Sequence, residues 1–292
     1  MFETFAVIFA SIVIEALPFV LLGATVSAAI EVFVPDRTFV ALGRLPVALQ
    51  LPAAAFGGFA FPVCECGSVP VARRLIARGI HPAAGLAFML ASPILNPVVL
   101  ASTVVAYSGR GLATQMVLGR AGLGLILAIV AGWAIGTTGA SDLLRPRPDD
   151  AEPTAHDTHR VRAFSTHLGN DFFFMGRFVV LGAALAGVLQ TAIPQSIVAG
   201  IASTPVVSAL ALMAIAFVLS LCSEADAFVA VSFVQFPLGS QLAFLVFGPV
   251  VDAKLAFLYG ATFRGRFVAR LVVVALPVVL AGSLWFEVVV GR

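Results

Sequence analysis

The sequence predicts an all-α polytopic membrane protein built from two inverted repeats, each with about three transmembrane helices and one broken, re-entrant helix hairpin. Two observations lead to this fold class. The 292 residues are 60% hydrophobic and only 11% charged, whereas soluble domains carry roughly 25% charged residues. Glycine, proline and cysteine landmarks also recur in the same order in both halves of the chain, which is the signature of a duplicated unit.

Eight hydrophobic segments are expected in all. Six are long enough to cross a hydrocarbon core about 30 Å thick, and these cover residues 4–34, 82–108, 121–138, 172–194, 240–262 and 271–290. Two marginal runs, 46–63 and 205–222, are predicted to begin re-entrant hairpins at 46–79 and 205–237. Eight full spans are the alternative that hydropathy alone supports. The first run contains Glu15 and lacks a basic N-terminal region, so we expect a retained span rather than a signal peptide.

A polar segment at 140–171 separates a first repeat, 1–139, from a second repeat, 172–292. It contains three prolines, three of the four histidines and charges of both signs. This composition is typical of a solvated linker rather than a histidine metal site.

Three landmarks place the two halves in register. Gly23 and Gly182 lie in matching F-V-x-L-G-A stretches 159 residues apart. Cys64 and Cys222 match at an offset of 158 residues, and the motif S-P-I-L-N-P around Asn96 matches G-P-V-V-D-A-K around Asp252 at an offset of 156. A drift of three residues over three landmarks indicates duplication.

Arginine placement favours inverted rather than parallel repeats. Residues 71–81 contain three arginines, whereas the equivalent 228–238 contains none. The bias reverses further on, where 264–270 carries three arginines against Arg110 and Arg120 in the first half. Because arginine is enriched in cytoplasmic flanks, we predict an odd number of crossings per half, an external N-terminus and a cytoplasmic linker.

Polar helix breaks at membrane depth are the strongest functional signal. Non-helical backbone is tolerated there only where protein covers it or it lines a watery cavity, and paired broken helices mark the binding site of many transporters. The residues expected to make these breaks are Pro62, Gly67, Pro93, Pro97 and Pro249. Simple proline kinks are the alternative.

Ionisable residues within the apolar segments are a second signal, since charging one at the bilayer centre costs about 3 kcal/mol or more. They are Glu65, Glu224, Asp226, Asp252 and Lys254. We expect Lys254 to pair with Asp252 or Glu224, which leaves Glu65 as a candidate proton carrier; a purely structural ion pair is the alternative. Glu31 lies near the end of the first span and is expected to be solvated.

The three cysteines are Cys64, Cys66 and Cys222. Buried free cysteine is often only a small hydrophobic residue. Thiolates, however, select soft metals and metalloids, and a cysteine recurs at the equivalent place in each half. The cysteines are therefore candidate ligands for a thiophilic substrate or a metal, together with Asn96 and Glu65.

The stretches P-V-C-E-C-G-S-V-P at 62–70 and A-S-P-I-L-N-P at 91–97 together resemble the predicted permease family that includes the ArsP-type organoarsenical efflux permeases. The resemblance implies an inner-membrane permease with eight spans, and characterised members export trivalent organoarsenicals. The motif residues carried over are Cys64, Cys66, Gly67, Ser92, Pro93, Asn96 and Pro97.

The function expected from the sequence is secondary transport, not catalysis. The hypothesis is proton-coupled export of a thiophilic small molecule or metalloid through a midplane site at the two breaks, with Glu65 or Glu224 carrying the proton. The alternatives are a thiol redox protein that uses Cys64 and Cys66, and one subunit of a two-component permease. The lipid bilayer is the expected environment, a homodimer or a partner subunit stays open, and neither a cofactor nor nucleic acid is expected.

Overall fold

The computed structural model describes residues 2–60, 63–137, 139–146, 160–192 and 204–290. Within these ranges the chain is all α-helical, apart from turns and a single antiparallel bridge between Leu144 and Phe263. The predicted all-α class is therefore confirmed.

Eight helices precede the middle of the chain. They are α1 (Phe2–Phe33), α2 (Asp36–Gly43), α3 (Val47–Ala60), α4 (Glu65–Ala77), α5 (Pro82–Leu95), α6 (Pro97–Ser108), α7 (Ala113–Ile135) and α8 (Ala140–Leu143). Six more follow, namely α9 (Arg160–Ala192), α10 (Pro205–Leu219), α11 (Asp226–Ala230), α12 (Leu238–Phe247), α13 (Ala253–Thr262) and α14 (Phe267–Val290).

Among the described residues, five helical segments are long and apolar enough to cross a membrane: Glu3–Phe33, Pro82–Ser108, Ala113–Ile135, Val161–Thr191 and Phe267–Val290. The chain is therefore a multi-span membrane protein. The polar sequence at 160–171 lies in the first turns of α9, so part of the segment predicted as linker is helical. The division into two repeats and a linker stays a prediction.

The two longest helices, α1 and α9, carry the matching F-V-x-L-G-A stretches and pack against each other in antiparallel fashion. The Phe33 ring near the end of α1 lies 6.1 Å from the Phe164 ring near the start of α9. At the other end of the pair, a side chain added at Gly187 would meet the ring of Phe5. The two helices that share this sequence match thus run in opposite directions.

The last helices of the two halves, α7 and α14, show the same relation. Gly119 near the start of α7 packs against Phe286 near the end of α14, and Leu123 contacts Gly282 one turn further along. A second pair of equivalent helices therefore also runs antiparallel.

Two short helices of the first half, α3 and α4, meet the centre of the bundle from one end. With 14 and 13 residues they are each about 20 Å long, too short to cross alone. Parallel packing of α3 and α5 is evident because Gln50 accepts a hydrogen bond from the His81 amide. Antiparallel packing of α4 and α5 is evident because Gly85 packs on Ile76. We call the end of the bundle where α4 ends and α9 begins the linker end.

Sequence-equivalent glycines let the two short helices that carry the central charges approach α1 and α9. Gly23 of α1 lies so close to α4 that an added Cβ would be 2.7 Å from the carbonyl oxygen of Gly67. At Gly182 of α9, an added Cβ would be 2.7 Å from the Cβ of Lys254 in α13. Both distances are below van der Waals contact, so only glycine fits without displacing α4 or α13.

Two helix breaks lie where the sequence predicts them, at Asn96 and at Asp252. Asn96 separates α5 from α6, and its Oδ1 accepts a hydrogen bond from the Val98 amide. Asp252 begins α13 in the same way, with Oδ1 accepting from the Leu255 amide at 2.6 Å. Both side chains are N-caps that satisfy helix-end amides. Pro93 lies inside α5 rather than at the break, and Pro62 lies outside the described residues.

Replacing Gly182 with alanine should destabilise the fold, because the new methyl group forces α9 and α13 apart. Overpacking of this kind typically costs about 1–3 kcal/mol. Gly176→Ala is the matched control, since Gly176 is also in α9 but has no atom within 4 Å of an added Cβ. Thermal unfolding of purified protein in detergent measures the difference. Equal midpoints for both variants would contradict the close approach of α9 and α13.

Candidate functional site

A polar centre lies where the short helices meet. It is formed by the start of α4, the non-helical segment 220–225 between α10 and α11, the first turn of α13 and the middle of α7. Most of its charged and thiol side chains are buried; they are Cys64, Glu65, Cys66, Arg120, Cys222, Asp226, Asp252 and Lys254. We call this set the central cluster.

The strongest contact in the central cluster is an ion pair between Glu65 and Lys254. Lys254 Nζ lies 2.6 Å from Glu65 Oε1, and the two side chains are 0% and 1% exposed. Asp252 Oδ2 lies further from the ammonium, at 3.6 Å. The expected ion pair of Lys254 with Asp252 is thus present, but Glu65, which was expected to be free to carry a proton, is the nearer partner.

The three cysteines surround this ion pair. Cys222 Sγ lies 3.7 Å from Lys254 Nζ. Cys64 and Cys66 flank Glu65, with their thiols within hydrogen-bonding reach of each other. All three thiols are free and buried. A thiophilic molecule at the ion pair would thus have thiols from both halves of the chain beside it.

The cysteines do not form a ready-made metal centre. Across residues 2–60, 63–137, 139–146, 160–192 and 204–290, no group of three or more His, Cys, Asp and Glu side chains is arranged to hold a metal ion. The expectation that Cys64, Cys66 and Cys222 form a metal site is therefore not supported by the described geometry.

A second buried ion pair joins α7 to α11. Arg120 donates to both carboxylate oxygens of Asp226, at 2.8 and 2.6 Å, and to the hydroxyl of Thr103 in α6 at 2.9 Å. The sequence interpretation counted Arg120 as a charge in a flanking loop, and this was wrong. The apolar run was taken to begin at 121, whereas α7 begins at Ala113 and buries Arg120 completely.

Ser223 connects the two ion pairs into one network. Its hydroxyl donates to Glu65 Oε2 at 2.9 Å, and its carbonyl accepts from Arg120 Nη2 at 3.2 Å. Ser223 and Glu65 are 158 residues apart, which is the repeat offset at the cysteines. Two residues that the predicted repeat would make equivalent therefore touch each other.

Several polar atoms of the site have no hydrogen-bond partner among the described residues. They are Arg120 Nε, both carboxylate oxygens of Glu224, Asn96 Nδ2 and Asp252 Oδ2, the last of which lies 3.6 Å from the Lys254 ammonium. Buried polar atoms are usually satisfied, so these atoms are available to a ligand, water or proton. Asn96 and Asp252 hold equivalent positions in the two breaks, and each keeps one such atom after capping its helix.

Two further acids, Glu15 and Glu31, lie on α1 outside the central cluster. Glu15 is half-buried in α1, near enough to Lys254 and Glu65 to interact with them electrostatically. Glu31 was expected to be solvated, and this was wrong. Its carboxylate pairs with Arg74 of α4 and with Arg78, the residue after α4.

The sequence model of a predicted permease family, ArsP_1, matches residues 1–288. The chain belongs to this family. It is 40% identical over 281 residues to the UPF0718 protein YcgR of Bacillus subtilis, covering 95% of each chain. It is 34% identical over 274 residues to a protein of Streptococcus mutans named as a putative two-component membrane permease complex subunit, covering 91% of this chain and 89% of that protein. No solved structure matches. Membership of a permease family indicates a transporter rather than an enzyme.

Breaking the Glu65–Lys254 pair from one side should destabilise the protein strongly. Removing one partner of a buried pair leaves an uncompensated charge and costs about 3–5 kcal/mol. We expect Lys254→Met alone to lower the unfolding midpoint more than the double variant does. Adding Glu65→Gln to Lys254→Met should restore part of the lost midpoint, because it removes the uncompensated charge.

A double-mutant cycle of the two substitutions in detergent measures this coupling. Glu287→Gln on α14 is the control, since the Glu287 carboxylate accepts a hydrogen bond from the Gly239 amide outside the central cluster. Additive effects of the two central substitutions would contradict the ion pair.

Proposed function

We propose that the protein is a proton-coupled secondary permease that exports small thiophilic solutes, with trivalent organoarsenicals as the leading instance. The observation that carries the proposal is the placement of all three thiols beside one buried ion pair between the halves. Permease-family membership supports transport, and the soft donor set supports the substrate class.

The proposed architecture is a pair of inverted repeats, each with three spans and one re-entrant hairpin. The antiparallel packing of α1 with α9 and of α7 with α14 supports this arrangement, as does the contact between the equivalent residues Glu65 and Ser223. The hairpins are α3–α4 and the region from α10 to 237. In such folds the substrate site lies near the midplane at the repeat interface, and the halves rock around it.

The chemistry of a trivalent organoarsenical fits the thiols. A species R–As(OH)₂ exchanges both hydroxyl groups for two cysteine sulfurs, with the two thiol protons leaving in two water molecules. The reverse exchange releases the substrate, so no oxidant or reductant is needed. Cys64 and Cys66 supply two neighbouring thiols, while Cys222 offers a third from the other half for transfer across the site.

Proton coupling is assigned chiefly to Glu224. Glu65 was the first candidate from the sequence, but its two oxygens are engaged by Lys254 and Ser223. Glu224 lies two residues after Cys222, and both its oxygens are without a hydrogen-bond partner in the described ranges. Asp226 is held by Arg120 and Asp252 caps α13, so we assign them to the structure of the site. Asn96 would orient the substrate through its uncommitted amide.

The proposed location is the bacterial inner membrane, with the linker in the cytoplasm. A second candidate role is one subunit of a two-component permease, which the name of the Streptococcus mutans relative favours. Copurification with a second membrane protein at fixed stoichiometry would support that role.

Transport in proteoliposomes tests the proposal. We expect uptake of methylarsenite into vesicles to depend on an imposed proton gradient. Cys64→Ser with Cys66→Ser should lower the flux about tenfold or more, because serine lacks the soft donor. Ser283→Ala, which removes a buried hydroxyl in α14, should leave the flux unchanged.

Two outcomes would count against the proposed mechanism. Full flux in the double cysteine variant would remove the thiols from transport, and flux independent of the gradient would remove proton coupling. Reversible formation of a Cys64–Cys66 disulfide during turnover, detected by thiol trapping, would instead favour the redox alternative.

A further inference from the structure

A group of charged residues at the linker end is separate from the central cluster. It joins α1, α4 and α9 and consists of Ser27, Glu31, Arg74, Arg78 and Asp171. We call it the linker-end cluster. Its four charged side chains are 6–17% exposed, so it lies largely under the protein surface.

Arg74 of α4 and Arg78, the residue that follows α4, hold one acid of α1 and one of α9. Glu31 of α1 contacts Arg78 at 2.6 Å and Arg74 at 3.2 Å. Arg74 also reaches Asp171 of α9 at 3.1 Å, and Ser27 of α1 donates to the same Asp171 oxygen at 2.7 Å. Arg78 adds a hydrogen bond to the Glu31 carbonyl at 3.0 Å. The end of α4 is thus fastened to both helices at once.

The other end of α4 carries Glu65, which is bound to Lys254. Arg74 follows Glu65 by nine residues, a distance of about 14 Å along a helix. This short helix is therefore held by charge at both ends, once in the central cluster and once in the linker-end cluster. Any opening of the linker end that moves α4 away from α1 and α9 must first separate the charges of the linker-end cluster.

The second half lacks an equivalent set of charges. By the repeat offsets, Gln190 corresponds to Glu31, Ser232 to Arg74 and Phe236 to Arg78. Gln190 donates instead to the Leu219 carbonyl at 2.9 Å. Among the described residues, these three positions thus carry no charge that could form an equivalent set of ion pairs.

We infer that the linker-end cluster is a gate whose ion pairs keep the central cluster shut off from the linker side of the membrane. The inference rests on the proposed function only in requiring access to the site from alternate sides. Buried thiols in the central cluster agree with a linker end that is closed in this structure. Weakening the cluster shifts the equilibrium toward a conformation open at the linker end, since a population follows the free-energy difference between states.

The native thiols make the gate directly testable, because the chain has only three cysteines and all lie in the central cluster. A membrane-impermeant maleimide is applied to intact spheroplasts and to inverted vesicles, and protease cleavage within the linker identifies which preparation exposes the linker side. For Arg78→Gln and Glu31→Gln we expect labelling from the linker side to accelerate about tenfold. Labelling from the opposite side should not increase.

Matched variants separate gating from general damage. Arg78→Lys keeps the charge but loses the forked contact with Glu31, so it should label at a rate between those of the wild type and Arg78→Gln. Arg44→Gln removes an exposed arginine before α3 and should have no effect. If Arg78→Gln does not fold, Ser27→Ala removes a single hydrogen bond from Asp171 and should give a smaller change in the same direction.

The inference is overturned if folded Arg78→Gln and Glu31→Gln label at the wild-type rate, or if labelling rises equally from both sides. Labelling requires no transported substrate, so failure of the gate and failure of the proposed transport function give different results. A normal gate with no arsenical flux would reject the substrate, whereas normal flux with no change in labelling would reject the gate.

Discussion

The buried ion pair between Glu65 and Lys254 is the interaction on which the rest of this structure depends. Two charges at 1% exposure or less are tolerated in an apolar bundle only if each neutralises the other and further hydrogen bonds complete the set. That requirement fixes the start of α4 against the start of α13. Ser223 and Arg120 then extend the same network to α7 and α11, so that a single polar network links both halves of the chain.

Small residues make this centre sterically possible. Gly23 and Gly182 occupy equivalent positions in the two long antiparallel helices, and each lets one charge-bearing short helix approach closely. Close packing through small residues is a main source of helix association in membranes, where lipid is as apolar as the side chains it replaces. The result places a helix break, thiols and acids together in the buried centre of the bundle.

Much of the architecture follows from the sequence. Apolar length located the five long helical segments of the described residues, but it also predicted a crossing at 240–262, where the structure has the two short helices α12 and α13. The S-P-I-L-N-P motif correctly predicted a break at Asn96, because a buried asparagine before proline caps a new helix. The all-α class and the permease family are likewise established. The glycine match at Gly23 and Gly182 indicated duplication, although its steric purpose becomes visible only in three dimensions.

Pairing could not be predicted in the same way. Lys254 has a nearby acid in Asp252, whose Oδ1 caps α13 and whose Oδ2 stays 3.6 Å from the ammonium. Glu65, distant in sequence, comes closer, at 2.6 Å. Arg120 was assigned to a flanking loop because its low hydropathy placed the start of the apolar run at 121, whereas α7 begins at Ala113. Glu31 was expected in solvent, since nothing local in the sequence indicates that Arg74 and Arg78 reach it from another helix. Tertiary proximity determines each of these outcomes.

We propose that the site at the Glu65–Lys254 pair binds a thiophilic solute through thiols of the central cluster. An experimental structure of the protein in lipid nanodiscs with phenylarsine oxide tests this proposal most directly. Arsenic density is expected within bonding distance of two of the three cysteines, beside an intact or displaced Lys254. Arsenic bound elsewhere, or an empty central cluster in protein that transports the arsenical, would contradict it.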